Sequence, residues 1–295
     1  MQLVIPSPAK LNLFLHITGR LANGYHQLQT VFQLLEYGDT ITLSSRDDDA
    51  IRLTTPLTGV TEQQHLAVRA AEALRRYVDS HAFGDDTHRH GVDIAVEKVL
   101  PMGGGLGGGS SNAASTLLGL NQLWQLDLSI DELAIIGLEL GADVPVFVRG
   151  QNSAAEGVGE VLQPIKLPNR WFVVIKPPVE VATATIFGHP QLTRDSLPIR
   201  IAAFFETTST AQMLRNDCQA VVLQSYPEVA DAFHWLSQFG DPKLTGTGSC
   251  IFLACDDQPT AHAIIEQLPQ PLTGFIAQSS DYSTAYKALG IAVSN

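Results

Sequence analysis

Cysteine is scarce in this sequence. Cys218, Cys250 and Cys255 make an odd count with no C-x-x-C pair, which excludes a disulfide framework and a cysteine-rich zinc site. The three are expected to be buried free thiols. Long apolar runs are missing too, and no stretch approaches the roughly 20 residues that a membrane-spanning helix needs. The first residues, Met1-Gln-Leu-Val-Ile-Pro-Ser, have neither the basic start nor the apolar stretch of a signal peptide, so a cytoplasmic protein without a membrane partner is expected. Positive charge is in short supply: 18 Lys and Arg stand against 30 Asp and Glu, for a net charge of −12. No basic patch offsets this, which argues against a nucleic-acid partner. The same balance opposes a polyphosphate ligand. A phosphate site here must rest on local groups: backbone N–H, a nearby lysine and a divalent cation carried on the phosphates.

What the chain does have is glycine concentrated in one place. Pro101-Met-Gly-Gly-Gly-Leu-Gly-Gly-Gly-Ser-Ser111 places two glycine triplets around Leu106. Ordering so much glycine costs backbone entropy, so some ligand or chain must approach this backbone closely. A strand-like segment, 91–100, precedes the run, and helical periodicity follows from Asn112, with Ser110 or Ser111 as candidate cap. A loop of this kind opening a helix aims free N–H groups and the positive end of the helix dipole at one point, where a phosphate is stabilised. A flexible linker is the plainer alternative; anchoring at both ends favours the phosphate cradle. The run lacks the lysine of a Walker A loop, and its G-x-G-x-x-G spacing at Gly103, Gly105 and Gly108 lacks the acidic residue of a dinucleotide fold.

At 295 residues, 45% of them apolar, the chain can build one large or two ordinary domains. Residues 10–18 alternate as a strand, with Leu11, Leu13, Leu15 and Ile17 on one face and Lys10, Asn12, Phe14 and His16 on the other. Lys10 follows two prolines that hold the chain extended, and can be a plain solvated lysine or a fixed functional one. Asn23-Gly24 marks a turn from which Tyr25 and His26 emerge. Residues 30–36, 39–45 and 50–54 read as further strands, expected to be antiparallel, with Asp47 to Asp49 as a solvated hairpin tip. A helix is expected over 65–81. Ser129 and Glu132 form a capping box for another that ends near Gly141, expected to be left-handed. Pro145 restricts Val144 to extended conformations, holding Asp143 between a helix end and a strand start; it either caps backbone N–H groups or stands beside a phosphate site. Prolines at 164 and 168 suggest a crossover, dividing the chain into domains 1–164 and 165–295. Residues 171–176 begin the second half as a strand, and 181–198 read as irregular. Helical pattern returns at 216–224 and 228–239. A second glycine loop, Leu244-Thr-Gly-Thr-Gly-Ser-Cys250, reads equally as a tight hairpin or a ligand-facing loop. Residues 259–268 and 274–278 complete an α/β arrangement. No internal repeat is evident.

Pro8-Ala-Lys-Leu-Asn-Leu13, the run 101–111 and Leu244 to Cys250, in this order and spacing, resemble the three motifs of the GHMP small-molecule kinases. With Gly24-Tyr-His26 and Gly141-Ala-Asp-Val-Pro145, they resemble the branch that phosphorylates 4-diphosphocytidyl-2-C-methyl-D-erythritol. The resemblance covers nearly the whole chain. It implies an α/β (α+β) fold of two domains, one like ribosomal protein S5 and one ferredoxin-like, with the active site in the cleft between them. It implies ATP-dependent phosphorylation of the 2-hydroxyl of that cytidylyl methylerythritol, in the non-mevalonate route to isoprenoid precursors. Mg²⁺ is expected, bound mainly through the phosphates, with no metal site made of side chains. By position, Lys10 and Asp143 fall on the catalytic pair. Pro101, Met102, Gly103, Gly104, Gly105, Leu106, Gly107, Gly108, Gly109, Ser110 and Ser111, with Leu66, fall on the ATP site. Asn12, Tyr25, His26, Thr183 and Phe187 fall on the substrate contacts. His65 stands where many members carry Asn. The resemblance leaves open a kinase for another small alcohol, of homoserine or mevalonate type, and a non-catalytic nucleotide sensor of the same fold. Monomer and homodimer both stay open.

Overall fold

A computed structural model describes residues 1–22, 24–80, 91–200 and 214–293. Asn23 and His81, assigned above to a turn and a helix end, lie outside the described residues. Strand β1, Gln2–Arg20, pairs antiparallel with β2, His26–Ser45. The segments 30–36 and 39–45 are thus one strand, because β2 stays hydrogen-bonded to β1 through Gly38, opposite Pro8. Among the described strands β1 pairs only with β2, and this edge position tolerates Pro6 and Pro8, which have no N–H to give. Its alternation breaks at an irregularity between Asn12 and Leu15. Leu11 consequently packs in one core and Leu15 and Ile17 in another.

Strand β3, Ile51–Leu53, runs parallel to β4, Val92–Glu97, and β4 lies between β3 and β2. The expected antiparallel hairpin at Asp47 to Asp49 is therefore absent. Arg46 instead pairs with Asp48 and Asp93, at 2.6 and 2.7 Å, and pulls the acidic bend onto β4. Helix α1, Leu66–Ser80, buries Ala67, Ala70, Ala71 and Leu74 along one stripe. It shares the first core with α2, Gly108–Leu123, and α3, Ile130–Leu140. Ser129 and Glu132 form the expected capping box. Gly141, however, ends α3 in an extended conformation rather than a left-handed one.

Residues 144–149 form a helix, α4, Val144–Arg149, where a strand was expected. Pro145 sits in its first turn, the one place in a helix where a missing N–H costs nothing. Strands β5, Ser153–Glu156, and β6, Val161–Pro164, extend the sheet beside β2. The chain then crosses to β7, Trp171–Lys176. Residues 183–188, read as irregular, form a short helix, α5, Thr183–Gly188. Helices α6, Gln219–Ser225, and α7, Pro227–Leu236, lead to β8, Lys243–Leu244, and β9, Ile251–Cys255, which pair antiparallel around the second glycine loop. Helix α8, Gln258–Ile265, β10, Thr273–Ser280, and α9, Thr284–Leu289, follow.

Among the described residues, two halves meet along one hydrogen-bonded sheet of ten strands. Strand β10 pairs with β7 and also with β2, at Ser279 opposite Leu35 and Ser280 opposite Leu34. A core spanning both halves lies at this junction, joining Ala9, Leu11 and Leu106 to Phe172, Cys250 and Phe252. Helix α9 returns to the first half, where Ala285, Tyr286 and Leu289 enter its core. Among the described residues no helix is long and apolar enough to cross a membrane.

Candidate active site

Lys10 and Asn12 lie on β1 where it passes under the glycine loop, each with 3% of its surface exposed. Lys10 Nζ donates to Asn12 Oδ1 at 2.6 Å and to the Gly105 carbonyl at 3.0 Å, and stands 3.3 Å from Asp143 Oδ2. An ammonium has three donors, so the three partners saturate it. Burial of its charge is tolerable because each proton is matched. The same nitrogen lies 5.3 Å from the centre of the Phe32 ring. Asn12 is held in turn, its side-chain amide donating to Thr30 Oγ1 at 3.0 Å and its backbone N–H to Thr245 Oγ1 at 3.1 Å.

Asp143 occupies the N-cap of α4, yet its side chain caps no amide. Its carboxylate keeps 34% of its surface exposed, against 3% for Lys10. One oxygen faces the lysine while the group as a whole stays open to the cavity.

The glycine run forms a loop that enters α2 at Gly108, earlier than either serine. Gly107, in the left-handed region at φ 72°, is the N-cap, and no side chain caps the helix. The first N–H groups of the helix thus have no acceptor within it. Gly105 shows why the run is glycine: its φ is +74°, and a Cβ there would fall 2.1 Å from the Thr245 carbonyl. The second glycine loop clamps the first, with Ser249 N–H donating to Gly103 O at 3.1 Å, Cys250 N–H to Gly104 O at 3.2 Å and Thr245 Oγ1 to Gly105 O at 3.0 Å. Below the loop, Asp39 is buried and accepts from the N–H groups of Val99 and Leu100, from Asn112 Nδ2 and from Lys98 Nζ.

Two cavities meet over this frame. One, about 740 Å³, is lined by Lys10, Asn12, Asp143, Tyr25, His26 and Phe187 among others. The other, about 510 Å³, is lined by residues 101–110 with His65, Leu66 and Lys98, and no carboxylate is among its lining residues. Gly105, Gly107, Ser110 and Thr183 line both. The glycine loop and the uncapped helix start therefore open directly onto the chamber holding Lys10 and Asp143. On a chain of net charge −12, this second cavity is a local exception, lined by a helix N-terminus and by Lys98, whose own carboxylate partner, Asp39, is buried beneath the loop.

Known proteins are similar to this chain across its length. The GHMP kinases N terminal domain matches residues 65–151 and the GHMP kinases C terminal family residues 202–273. The 4-diphosphocytidyl-2-C-methyl-D-erythritol kinase of Marinobacter nauticus is 50% identical over 289 residues, 98% of each chain, and that of Hahella chejuensis 47% identical over 287 residues, 97% of this chain and 96% of its own. The chain belongs to the 4-diphosphocytidyl-2-C-methyl-D-erythritol kinases of the GHMP superfamily. A crystal structure of 4-(cytidine 5'-diphospho)-2C-methyl-D-erythritol kinase superposes on this kinase with a TM-score of 0.77 at 27% identity, covering 95% of this chain and 99% of that one. A mevalonate kinase structure matches at a TM-score of 0.67 and 14% identity, covering 95% and 99%, which reflects the shared fold alone.

Most residues singled out from the kinase's sequence line one of the two cavities. Pro101 through Ser110 and Leu66 line the smaller, and Asn12, Tyr25, His26, Thr183 and Phe187 the larger. Ser111 does not: its N–H bonds to Gly107 O at 2.8 Å and its hydroxyl accepts from Ser7 Oγ at 3.0 Å, inside the core. Neither serine caps α2, because glycine at position 107 can take the left-handed turn that a serine cap would not need. Thr183 Oγ1 lies 3.0 Å from Thr247 Oγ1, joining α5 to the second glycine loop. His26 stacks on Phe187, with centroids 4.9 Å apart and 23° between planes. Burial, followed by the charges of Arg194 and Arg20, holds the His26 imidazole below its ordinary value. Burial also lowers His65, helped by Lys98 and opposed by Asp39; His65 Nδ1 accepts from the N–H of Ala67 at 3.2 Å.

Asp39 and Lys98 were not among the residues singled out from the sequence, and Thr245 and Thr247 were included only within the second glycine loop. Lys98 had a signal, a lone cation three residues before the glycine run on a chain poor in positive charge. Asp39 had none, since its partners lie far along the chain.

Proposed function

We propose that the protein transfers the γ-phosphoryl group of ATP to the 2-hydroxyl of 4-diphosphocytidyl-2-C-methyl-D-erythritol, a step toward isoprenoid precursors. Membership of that kinase family supports the reaction. The observation that carries the site assignment is the Lys10–Asp143 pair, which lines the larger cavity next to Gly105, a residue lining both. In this reading ATP lies along residues 101–110, its β and γ phosphates on the amides of the α2 start, its base toward His65 and Leu66. The acceptor lies in the larger cavity, with the cytosine beside Tyr25, His26 and Phe187.

Phosphoryl transfer passes through a loose transition state in which the protein contributes positioning and charge stabilisation. The acceptor oxygen bonds to the γ-phosphorus, the bond to the β-γ bridging oxygen breaks, ADP departs, and the hydroxyl proton is released. Asp143 orients that hydroxyl by accepting its hydrogen bond, and takes the proton late in the step. Lys10, fixed by three partners, offsets negative charge at the attacking oxygen. Asn12 holds Lys10 in place. Thr183 and Thr247 close the wall between the two ligands.

Mg²⁺ fits this donor set only as an ion carried on the phosphates. Among the described residues, Asp143 is the one carboxylate lining either cavity and no cluster of metal-binding side chains occurs. Ser110 and Asp143 would flank such an ion, which typically keeps several waters. When bound, it neutralises phosphate charge.

The test is ADP formation with cytidylyl methylerythritol, mevalonate and homoserine as acceptors, with the product located by phosphorus NMR. Turnover confined to the first, at its 2-hydroxyl, is expected. Preferential turnover of either other alcohol contradicts the acceptor assignment, and nucleotide binding without product with all three indicates a sensor.

A further inference from the structure

Arg194 belongs to none of the motifs and does not line either cavity, yet its guanidinium ties together the wall of the larger one. Nε donates to His26 Nε2 at 3.1 Å, Nη2 to the carbonyls of Phe187 and His189 at 2.8 Å each, and Nη1 to the carbonyl of Leu192 at 3.1 Å. Arginine keeps its protons in proteins, so a ring nitrogen facing an arginine N–H must supply a lone pair. The neutral His26 ring therefore carries its proton on Nδ1. The second contact matters equally. Phe187, on which His26 stacks at 4.9 Å, has its own backbone carbonyl held by the same guanidinium.

We propose that Arg194 is a positioning residue for the acceptor: it fixes His26 as the Nδ1–H tautomer and locks the His26–Phe187 pair, giving the cavity a hydrogen-bond donor beside an aromatic face. That combination recognises a planar heterocycle with an exposed carbonyl or ring-nitrogen acceptor, as a pyrimidine base has. Without Arg194, His26 can exchange its two tautomers and rotate away from Phe187, so a fraction of the molecules presents a lone pair where the base needs a proton. Burial and the charges of Arg194 and Arg20 favour the neutral ring, but neither burial nor the charge of Arg20 chooses which nitrogen is protonated. Arg194 is the group that makes that choice. The inference rests on the larger cavity being the acceptor site.

The test uses the full-length enzyme labelled with ¹⁵N-histidine, comparing wild type, Arg194→Met and Arg194→Lys by long-range proton–nitrogen spectra and by steady-state kinetics in both substrates. Wild-type His26 should show an unprotonated Nε2. In Arg194→Met the ring should move to a mixture of tautomers, with KM for the acceptor up roughly three- to tenfold, the loss of about one buried hydrogen bond. KM for ATP and kcat should stay within about twofold, since the nucleotide loop and Lys10 are untouched. Lysine keeps the charge but cannot bridge His26 and the α5 carbonyls together, so Arg194→Lys should behave in the same way, and it carries the test if the methionine variant does not fold. An unaltered His26 tautomer in these variants, or an altered tautomer with unaltered acceptor KM, overturns the proposal. A parallel His26→Ala variant separates the two layers. If it raises acceptor KM while the Arg194 variants do not, Arg194 is refuted and the acceptor site stands; if it too leaves acceptor KM unmoved, both fall.

Discussion

Lys10 Nζ stands 3.3 Å from Asp143 Oδ2, and the two residues differ tenfold in exposure, 3% against 34%. A pair with one partner this open to water adds little to stability. Here the lysine is sealed against Asn12 and Gly105 while the carboxylate stays accessible to a substrate hydroxyl.

Asp143→Asn keeps the shape and removes the charge. Because Asp143 caps no helix amide and asparagine keeps an oxygen for Lys10 Nζ, the fold should be retained, with some stability lost as the buried ammonium loses its counter-charge. Turnover is expected to fall by roughly 10²–10⁴-fold, with KM for both substrates within about threefold. Steady-state kinetics and a thermal melt check this, and wild-type kcat in the variant removes Asp143 from the mechanism.

Lys10→Met and Lys10→Arg should both fail. Methionine lacks the charge. Arginine brings a planar fork into a site where Asn12 Oδ1 at 2.6 Å and Gly105 O at 3.0 Å are arranged around a single ammonium. A loss of about 10²–10³-fold in kcat/KM is expected for each. Near-normal catalysis by the arginine variant would show that only net charge matters there.

Gly105→Ala and Gly103→Ala separate close approach from backbone conformation. Both glycines have positive φ, +74° and +63°, but a Cβ at 105 meets the Thr245 carbonyl at 2.1 Å whereas one at 103 meets nothing within 4 Å. Alanine at 103 should cost about 1–2 kcal/mol for the left-handed backbone. Alanine at 105 should cost more than about 3 kcal/mol, because the two glycine loops must part. Chemical denaturation measures both, and equal destabilisation contradicts the contact argument.

Stability should rise with pH across the lower histidine range. His26 and His65 both have folded-state values below the ordinary 6.5. Below 6.5 the unfolded chain takes up protons that the folded chain refuses, which favours unfolding; above 6.5 both states are neutral there and the effect levels off. Melting temperature measured from about pH 5 to 7.5 should climb and flatten. The double variant His26→Gln, His65→Gln should climb less steeply; an unchanged slope contradicts the assignment.

Much of the site was legible from local pattern. The glycine run, the strand carrying Lys10 and the turn before Tyr25 and His26 are each written in consecutive residues. What escaped was set by distant partners. Residues 144–149 became a helix because a proline in a first turn and a proline before a strand look alike in sequence. Strand β3 chose the parallel partner β4 across an intervening helix, a pairing that strand propensity does not encode. Arg194 reaches His26 across 168 positions and Thr245 reaches Asn12 across 233, so no motif window contains either contact.

In the proposed mechanism backbone amides at the α2 start hold the triphosphate while Lys10 and Asp143 converge on the acceptor oxygen. A crystal structure with a non-hydrolysable ATP analogue and cytidylyl methylerythritol tests this most directly. The β and γ phosphates are expected against residues 103–110, with the 2-hydroxyl oxygen within hydrogen-bond reach of Asp143 and next to Lys10 Nζ. A triphosphate bound away from that loop, or an acceptor hydroxyl remote from both side chains, would contradict it.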